Sequence, residues 1–430
     1  MFLAFNIWNL FQGQPVVDEY DTPSYFEFSL YPSFRMQIVT GIYTILKNYY
    51  LIIGFQVLIS VLSYVYLAKK LLDLFDNEII SKIAVVLIYV LANSSVIIEQ
   101  NFILRSESLN NSALVFLFGT IFGYVRNASF NSFTKVCMAV IFLAGTRAVS
   151  SFSVFVFFIF FLIIFNGRTF LKRKYFIIGM ITVGFNLFFV LTASSTSTSK
   201  VYTTSSIINE RLWINPDWKD QIVEDGFPLQ SRNIWIDYRA SNKGLPPDQA
   251  VINSVEFKNW SNQGNENYLY SFMAKNLDYT FIGPVCLPCL NSDFTFRQTI
   301  LSGWSQGTDE IRNNYLLQEL FTARTLFWPD QPEYAYIVVL LFFVFLVMIN
   351  VSLLRKFTDK EIEKLKITSL FLIYIIIYSY VSWWLGSKEN DMSRHQLNSA
   401  IGIRILLVFT FLSFVDKVWG NLIKPINTKI

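Results

Sequence analysis

Residues 134–165 read TKVCMAVIFLAGTRAVSSFSVFVFFIFFLIIF, two apolar runs parted only by the polar patch around Arg147. Taken as one kinked element, the pair breaks the alternation of charge for everything on one side of it. Taken as a tight hairpin of two short spans, it leaves that alternation intact. The Lys/Arg clusters then fall in alternate gaps between apolar runs: Lys69-Lys70, Arg126, Arg168 with Lys172-Arg173-Lys174, Arg355-Lys356 through Lys366, and Lys417 to Lys429. The intervening gaps hold Asp18-Glu19 with Asp21, Glu99 to Glu107, Arg147, a polar stretch near 195–334, and Asp391 to His395. Cytoplasmic loops of membrane proteins concentrate Lys/Arg, so the first set and both termini are expected in the cytoplasm and the second set outside.

Working outward from the hairpin, length and apolarity give about ten spans. They are 1–13, 49–67, 80–98, 108–125, 134–147, 150–165, 174–193, 335–354, 366–386 and 398–415. The expected fold is an all-α polytopic membrane protein with an interfacial helix after the first outer loop and a small extracytoplasmic domain. Residues 1–194 form the N-terminal bundle with a first outer loop at 14–48, residues 195–334 the outer domain, and 335–430 the C-terminal helices. Composition agrees: 53% hydrophobic and 17% aromatic against 15% charged is excessive for a soluble chain of this size. The 43 Phe and 22 Tyr suit lipid-facing helices and interfacial belts. A net charge of +4, its basic clusters set in short loops, points to no nucleic-acid partner. The first run is short for a span of about 20 residues, so either that helix is shortened or tilted, or the chain begins late. No small-residue cleavage site follows it, and no cleavable signal peptide is expected.

Two regions are expected outside the bilayer. Pro15, Pro23 and Pro32 make residues 14–34 a loop. Beyond it Ile38, Val39, Ile42, Ile45 and Leu46 recur at helical spacing among Gln37, Thr40 and Lys47, which predicts an amphipathic helix along the membrane surface. The larger outer region opens with a Ser/Thr run, Ser194 to Ser199. It carries Trp213, Trp218, Trp235, Trp260, Trp304 and Trp328 as core candidates. Cys137 is expected buried inside a span. For Cys286 and Cys289, a Cys-Leu-Pro-Cys with no second pair or His, an oxidising exterior favours a disulfide over a metal site.

The chemistry gathers on the outer face. Asp18-Glu19-Tyr20-Asp21-Thr22-Pro23-Ser24-Tyr25 places three carboxylates in a proline-stiffened loop beside the bilayer, suited to a general base or to metal coordination. The alternative is a solvated acidic loop. Arg394 and His395 precede the last span, and Arg404 lies inside it one to two turns from the outer surface. An intramembrane Arg usually faces a cavity or a partner, and a guanidinium fork suits a phosphate; the alternative is snorkelling to the headgroups. Arg105 and Arg147 are further basic candidates. Glu107 opens a span as a carboxylate at the edge of lipid, with pairing to Arg105 as its plain alternative. The lone His395 is a minor candidate.

With these residues in view, the chain resembles a bacterial member of the GT-C superfamily, multispan glycosyltransferases that use polyprenyl-phosphate sugars. The resemblance lies in Asp18–Asp21 with Thr22-Pro23-Ser24-Tyr25, Leu30-Tyr31-Pro32-Ser33-Phe34 before the surface helix, and Arg105-Ser106-Glu107-Ser108-Leu109. It extends to Asn209-Glu210-Arg211-Leu212, Asn215-Pro216-Asp217, Gly226-Phe227-Pro228 and Arg394-His395. Family members commonly have a longer first helix and often Tyr where His395 stands. The resemblance implies transfer of a sugar, with inversion, from a polyprenyl-phosphate-linked donor to a hydroxyl of a glycan, lipid or protein acceptor. It places the enzyme in the cytoplasmic (inner) membrane with its active site on the periplasmic side. Asp21 is the implied base, with Asp18 and Glu107 as the other catalytic candidates. Arg394 is the implied phosphate ligand, followed by Arg404, Arg105 and Arg147. The donor is already activated, so no nucleotide site is needed; some relatives use a divalent metal and others do not, and Asp18 and Glu19 permit Mg or Mn. The cytoplasmic loops show neither a P-loop nor a dinucleotide fingerprint.

Two other readings compete. An O-antigen polymerase or ligase concentrates its working arginines in outer loops and needs no acidic loop after the first span. A membrane transporter predicts repeated halves and paired broken helices, and leaves so large an outer region unexplained.

Overall fold

The computed structural model describes residues 15, 17, 22–29, 35–75, 77–166, 172–194, 197–213, 216–241, 247–277, 359–385 and 397–427. These residues form helices, with no strand element among them. A single 3₁₀ turn, Pro23–Phe26, is nucleated by Pro23 in the loop expected at 14–34. It leads to α1, Gln37–Leu46. Lys47, left-handed at φ 56°, closes α1 by donating its N–H to the Tyr43 carbonyl. Asn48 then caps α2, Tyr49–Leu72, by accepting from the Tyr50 and Leu51 N–H groups. The bundle continues with α3, Glu78–Ala92; α4, Ser95–Phe102; α5, Glu107–Arg126; α6, Phe130–Ala144; α7, Ala148–Asn166; and α8, Arg173–Ser194. Helices α9 to α14 follow at Ser197–Ile207, Pro216–Glu224, Leu229–Ser241, Pro247–Asn253, Val255–Asn262 and Tyr268–Lys275. The chain returns to the bundle as α15, Asp359–Leu385, and α16, Leu397–Asn427.

Among the described residues six helices are long and apolar enough to cross a membrane: α2, α5, α7, α8, α15 and α16. The helical hairpin read from residues 134–165 is present as α6 and α7, turning through Gly145 to Arg147. At 15 residues, α6 is shorter than a full span. The expected spans 1–13 and 335–354, with Trp304 and Trp328, lie outside the described residues. Where the sequence predicts a single span at 80–98, α3 and α4 meet at a 50° bend. The polar Asn93-Ser94 junction stops α3, Asn93 donating from both its N–H and its amide to the Tyr89 carbonyl. Beyond the bend Glu99, Gln100 and Asn101 are buried in the protein.

Central position falls to α5. Its membrane segment is 83% buried against 28% for α8, and it packs against α2, α6, α15 and α16. Stacked Phe118 and Phe371 rings join it to α15, and Phe122 with Phe409 joins it to α16. A Cβ at Gly119 would collide with the Tyr66 ring, so glycine there lets α2 lie close.

The two ends of the bundle differ in chemistry. At one end Arg126 lies 4.0 Å from Asp73, and Lys174 sits over the Phe130 ring. At the same end Lys366 sits over Phe165, and Lys364 pairs at 3.2 Å with Asp416, which also accepts the Asn77 N–H. Basic gaps dispersed along the sequence thus converge on one end. The opposite end holds the starts of α5, α7 and α16 and the ends of α6 and α15. Residues 207–272 have a core of their own there, including Phe227, Trp235, Phe257 and Trp260, with Trp213 and Trp218 packed against it. Trp384 near the end of α15 joins that core and ties it to this end of the bundle.

The inner face of α1 is mixed. Val39 and Tyr43 join an apolar cluster with Ile52, Val57 and Leu109, and Ile42 and Leu46 pack against it, as the helical spacing predicts. Gln37 and Thr40 are buried on the same helix, while Ile45 is 80% exposed.

Candidate functional site

The site is organised around the bent lead-in Ile103–Ser106 and the first turn of α5. The carbonyls of this lead-in are claimed by different elements. Thr22 Oγ1 donates to the Leu104 carbonyl at 3.3 Å. The Tyr43 hydroxyl of α1 donates to the Arg105 carbonyl at 2.8 Å, and accepts from Gln56 Nε2 of α2 at 2.8 Å. The same Gln56 amide reaches the Ile103 carbonyl at 3.2 Å. Burial holds the Tyr43 phenol well above its usual pKa, so it stays a neutral donor. Ser108 Oγ donates to Asn101 Oδ1 at 2.7 Å, which fixes α4 against α5. Buried backbone groups require such partners, so these contacts specify where the first loop and surface helix sit.

Arg35 clamps the loop from above. Its Nε donates to Ser24 Oγ at 2.8 Å and its Nη1 to the Tyr25 hydroxyl at 3.1 Å, with the guanidinium 4.4 Å from the Tyr25 ring centre. The Tyr25 hydroxyl in turn lies 3.2 Å from Ser106 Oγ. Through this relay the loop that follows Asp18–Asp21 in sequence is fastened to the start of α5.

Glu107 and Arg147 meet at 3.6 Å, their side chains 3% and 10% exposed. Sequence reading weighed Arg105 as the partner of Glu107; the structure brings Arg147 to it as well. The N-terminal turn of α5 adds favourable dipole potential at the carboxylate. Asn110, one turn further, holds the Arg147 segment on both sides: its Oδ1 accepts from Thr146 Oγ1 at 2.8 Å and Ser150 Oγ at 2.6 Å. Its Nδ2 faces the Tyr378 hydroxyl at 3.4 Å. On α15 and α16, Ser379 and Ser399 bond at 2.7 Å. Arg404 lies seven residues into α16, about 10 Å from its start at the helical rise, buried and donating Nη1 to the Ala400 carbonyl at 2.8 Å.

Of the residues picked from sequence, Arg105, Glu107 and Arg147 are therefore brought together, and Arg404 lies at the same end on a helix linked to them. Asp18, Glu19, Asp21, Arg394, His395, Cys286 and Cys289 lie outside the described residues. Cys137 is a buried free thiol within α6, as expected. Among the described residues no group of three His, Cys, Asp or Glu side chains is arranged to hold a metal. Sequence reading missed Arg35 and Asn110. Arg35 carried no signal, since one Arg before a surface helix is ordinary. Asn110 did: two successive Asn inside an apolar span mark an interior-facing position.

The arrangement offers a buried carboxylate, several guanidinium groups and many hydroxyl and amide partners at one end of a membrane bundle. That combination suits an anionic leaving group and a polyhydroxylated substrate. In comparisons with known proteins, no family model, curated protein or solved structure matches this chain.

Proposed function

We propose that this protein is a polytopic membrane glycosyltransferase of the GT-C type, working at the end of the bundle opposite its basic loops. The observation that carries the reading is the seating of Thr22–Tyr25 on Leu104 and Ser106, on either side of Arg105 and next to Glu107 in sequence. It places the continuation of the acidic loop beside a buried carboxylate and guanidinium pair. Convergence of Lys70, Arg126, Lys174 and Lys364 at the other end supports a cytoplasmic assignment for that end, and hence an extracytoplasmic one for the site.

In the proposed reaction an acceptor hydroxyl attacks the anomeric carbon of a polyprenyl-phosphate sugar. The new glycosidic C–O bond forms as the bond to the phosphate oxygen breaks, and the acceptor proton passes to Asp21. Arg394 and Arg404, with Arg105 and Arg147, receive the polyprenyl phosphate that leaves. Glu107 holds Arg147 at the site, and Asp18 and Glu19 would be the residues to hold a divalent ion, which would help to neutralise the leaving phosphate. Burial of Arg105, Arg147 and Arg404 in the bundle end fits this reading better than a polymerase or ligase with arginines set in outer loops.

Transport draws support from the 50° break between α3 and α4. Transporters present such breaks in pairs, and among the described residues this one has no counterpart. The deciding experiment sets transfer from a radiolabelled polyprenyl-phosphate sugar beside solute accumulation in vesicles holding the same protein. Transfer that is lost in Asp21→Asn supports the enzyme. Accumulation without transfer overturns it.

A further inference from the structure

Away from this site, α2, α5 and α6 enclose a groove of about 460 Å³. Ile59, Leu62, Tyr66 and Lys69 form its α2 side, Phe116 comes from α5 and Phe142 from α6. The α2 residues recur at three- and four-residue spacing and so occupy one helix face. Ile59 to Lys69 rises about 15 Å, half of a hydrocarbon core about 30 Å thick. Leu62 is 54% exposed and Lys69 is exposed, so the groove opens sideways. Its aromatic lining is fixed: Gly119 admits the Tyr66 ring against α5, Phe116 lies 5.2 Å from that ring, and Lys70 sits over it. Lys70 is thereby engaged, whereas Lys69 makes no ion pair among the described residues. Lys69 also stands at the basic end of the bundle, where α2 finishes.

An apolar slot one leaflet deep that ends in a cation with no ion pair among the described residues has the polarity of an anionic lipid. We propose that this groove binds a membrane lipid with an anionic phosphate headgroup, its chain along Ile59, Leu62 and Phe116 and its headgroup at the Lys69 ammonium. A chain already in the bilayer gains little from changing apolar neighbours, so selectivity rests on the headgroup. One cation near an anionic surface is worth about fivefold in affinity. The proposal is independent of any transfer reaction at the other end.

Native mass spectrometry of the full chain in detergent tests it, with dioleoyl phosphatidylglycerol titrated against dioleoyl phosphatidylcholine. One phosphatidylglycerol should be retained with about fivefold preference. Lys69→Glu should abolish the preference, and Leu62→Trp, a change at an exposed position that narrows the groove, should reduce retention of both lipids. Matched thermal unfolding of the three proteins in detergent alone separates lost binding from lost fold. Equal retention of the two lipids by the wild type, or an unchanged preference in well-folded Lys69→Glu, overturns the proposal. So does a full chain that retains neither lipid when a chain lacking residues 1–13 retains both, which assigns the groove to the N-terminal segment. A groove closed by dimerisation, seen as a two-copy ion without lipid, overturns it as well.

Discussion

The Arg147 guanidinium lies 3.6 Å from the Glu107 carboxylate, and between them they join the α6–α7 turn to the first turn of α5. Removing one partner of such a buried pair strands the other charge, at a cost of about 3–5 kcal/mol. Glu107→Gln and Arg147→Met should each lower the unfolding midpoint in detergent, and the double variant should lose clearly less than the sum of the two. A double-mutant cycle on that midpoint measures the coupling. Additive losses would show that the pair contributes no specific interaction.

Asn110 deserves a separate test because it accepts from hydroxyls on both sides of Arg147. Asn110→Ala leaves Thr146 and Ser150 without that acceptor, a loss of about 1–3 kcal/mol. Transfer should fall more steeply than stability, since the Arg147 backbone loses its anchor. Activity that tracks unfolding alone would reduce Asn110 to packing.

The Arg35 clamp should govern the loop, not the bundle. Arg35→Ala is expected to speed protease cleavage within residues 15–29 while the bundle's unfolding midpoint moves little. Arg35→Lys should restore only part of the protection, because an ammonium cannot bond Ser24 and Tyr25 as a planar fork does. Unchanged cleavage in Arg35→Ala would remove the clamp from the account.

Asp21→Asn keeps shape but removes the basic oxygen. A positioned general base contributes about 10²–10⁴-fold, so turnover should be lost with donor binding nearly intact. Asp18→Asn is expected to hurt less, and Arg394→Ala to weaken donor use by tens- to hundreds-fold through about 2–4 kcal/mol of lost charged hydrogen bonding. Full transfer by Asp21→Asn beside a dead Asp18→Asn or Glu107→Gln would move the base. Activity in all three would leave the transferase reading without a chemical centre.

Orientation is checked by reporter fusions after Lys174, at the basic end, and near Gly264, in the unit whose core includes Trp260 and Trp384. Opposite signals are expected. The same side for both would overturn the topology and with it most of the assignment of the site.

How far the sequence reached is clearest at particular residues. The apolar runs that became α2, α5, α7, α8, α15 and α16 were legible because lipid tolerates only long stretches of satisfied, apolar helix. The surface helix at Gln37–Leu46 was legible from its spacing, and Val39, Ile42 and Leu46 do pack inward. What the spacing hid is Tyr43, which turns inward with them because the buried Arg105 carbonyl needs a donor. The break after Asn93 was hidden within a run that hydropathy alone joins.

By itself the sequence determined a helical membrane chain and the segregation of its charge, since span length and loop charge are local quantities set by the bilayer's thickness and potential. Only the tertiary structure decided which polar residues share an environment. Thr22, Arg35, Tyr43, Gln56, Glu107, Asn110 and Arg147 come from separate segments. They meet because burying the carbonyls of Ile103 to Arg105, the Glu107 carboxylate and the Asn110 amide is costly without partners once water is excluded, and the fold supplies these from the segments that lie across the gap.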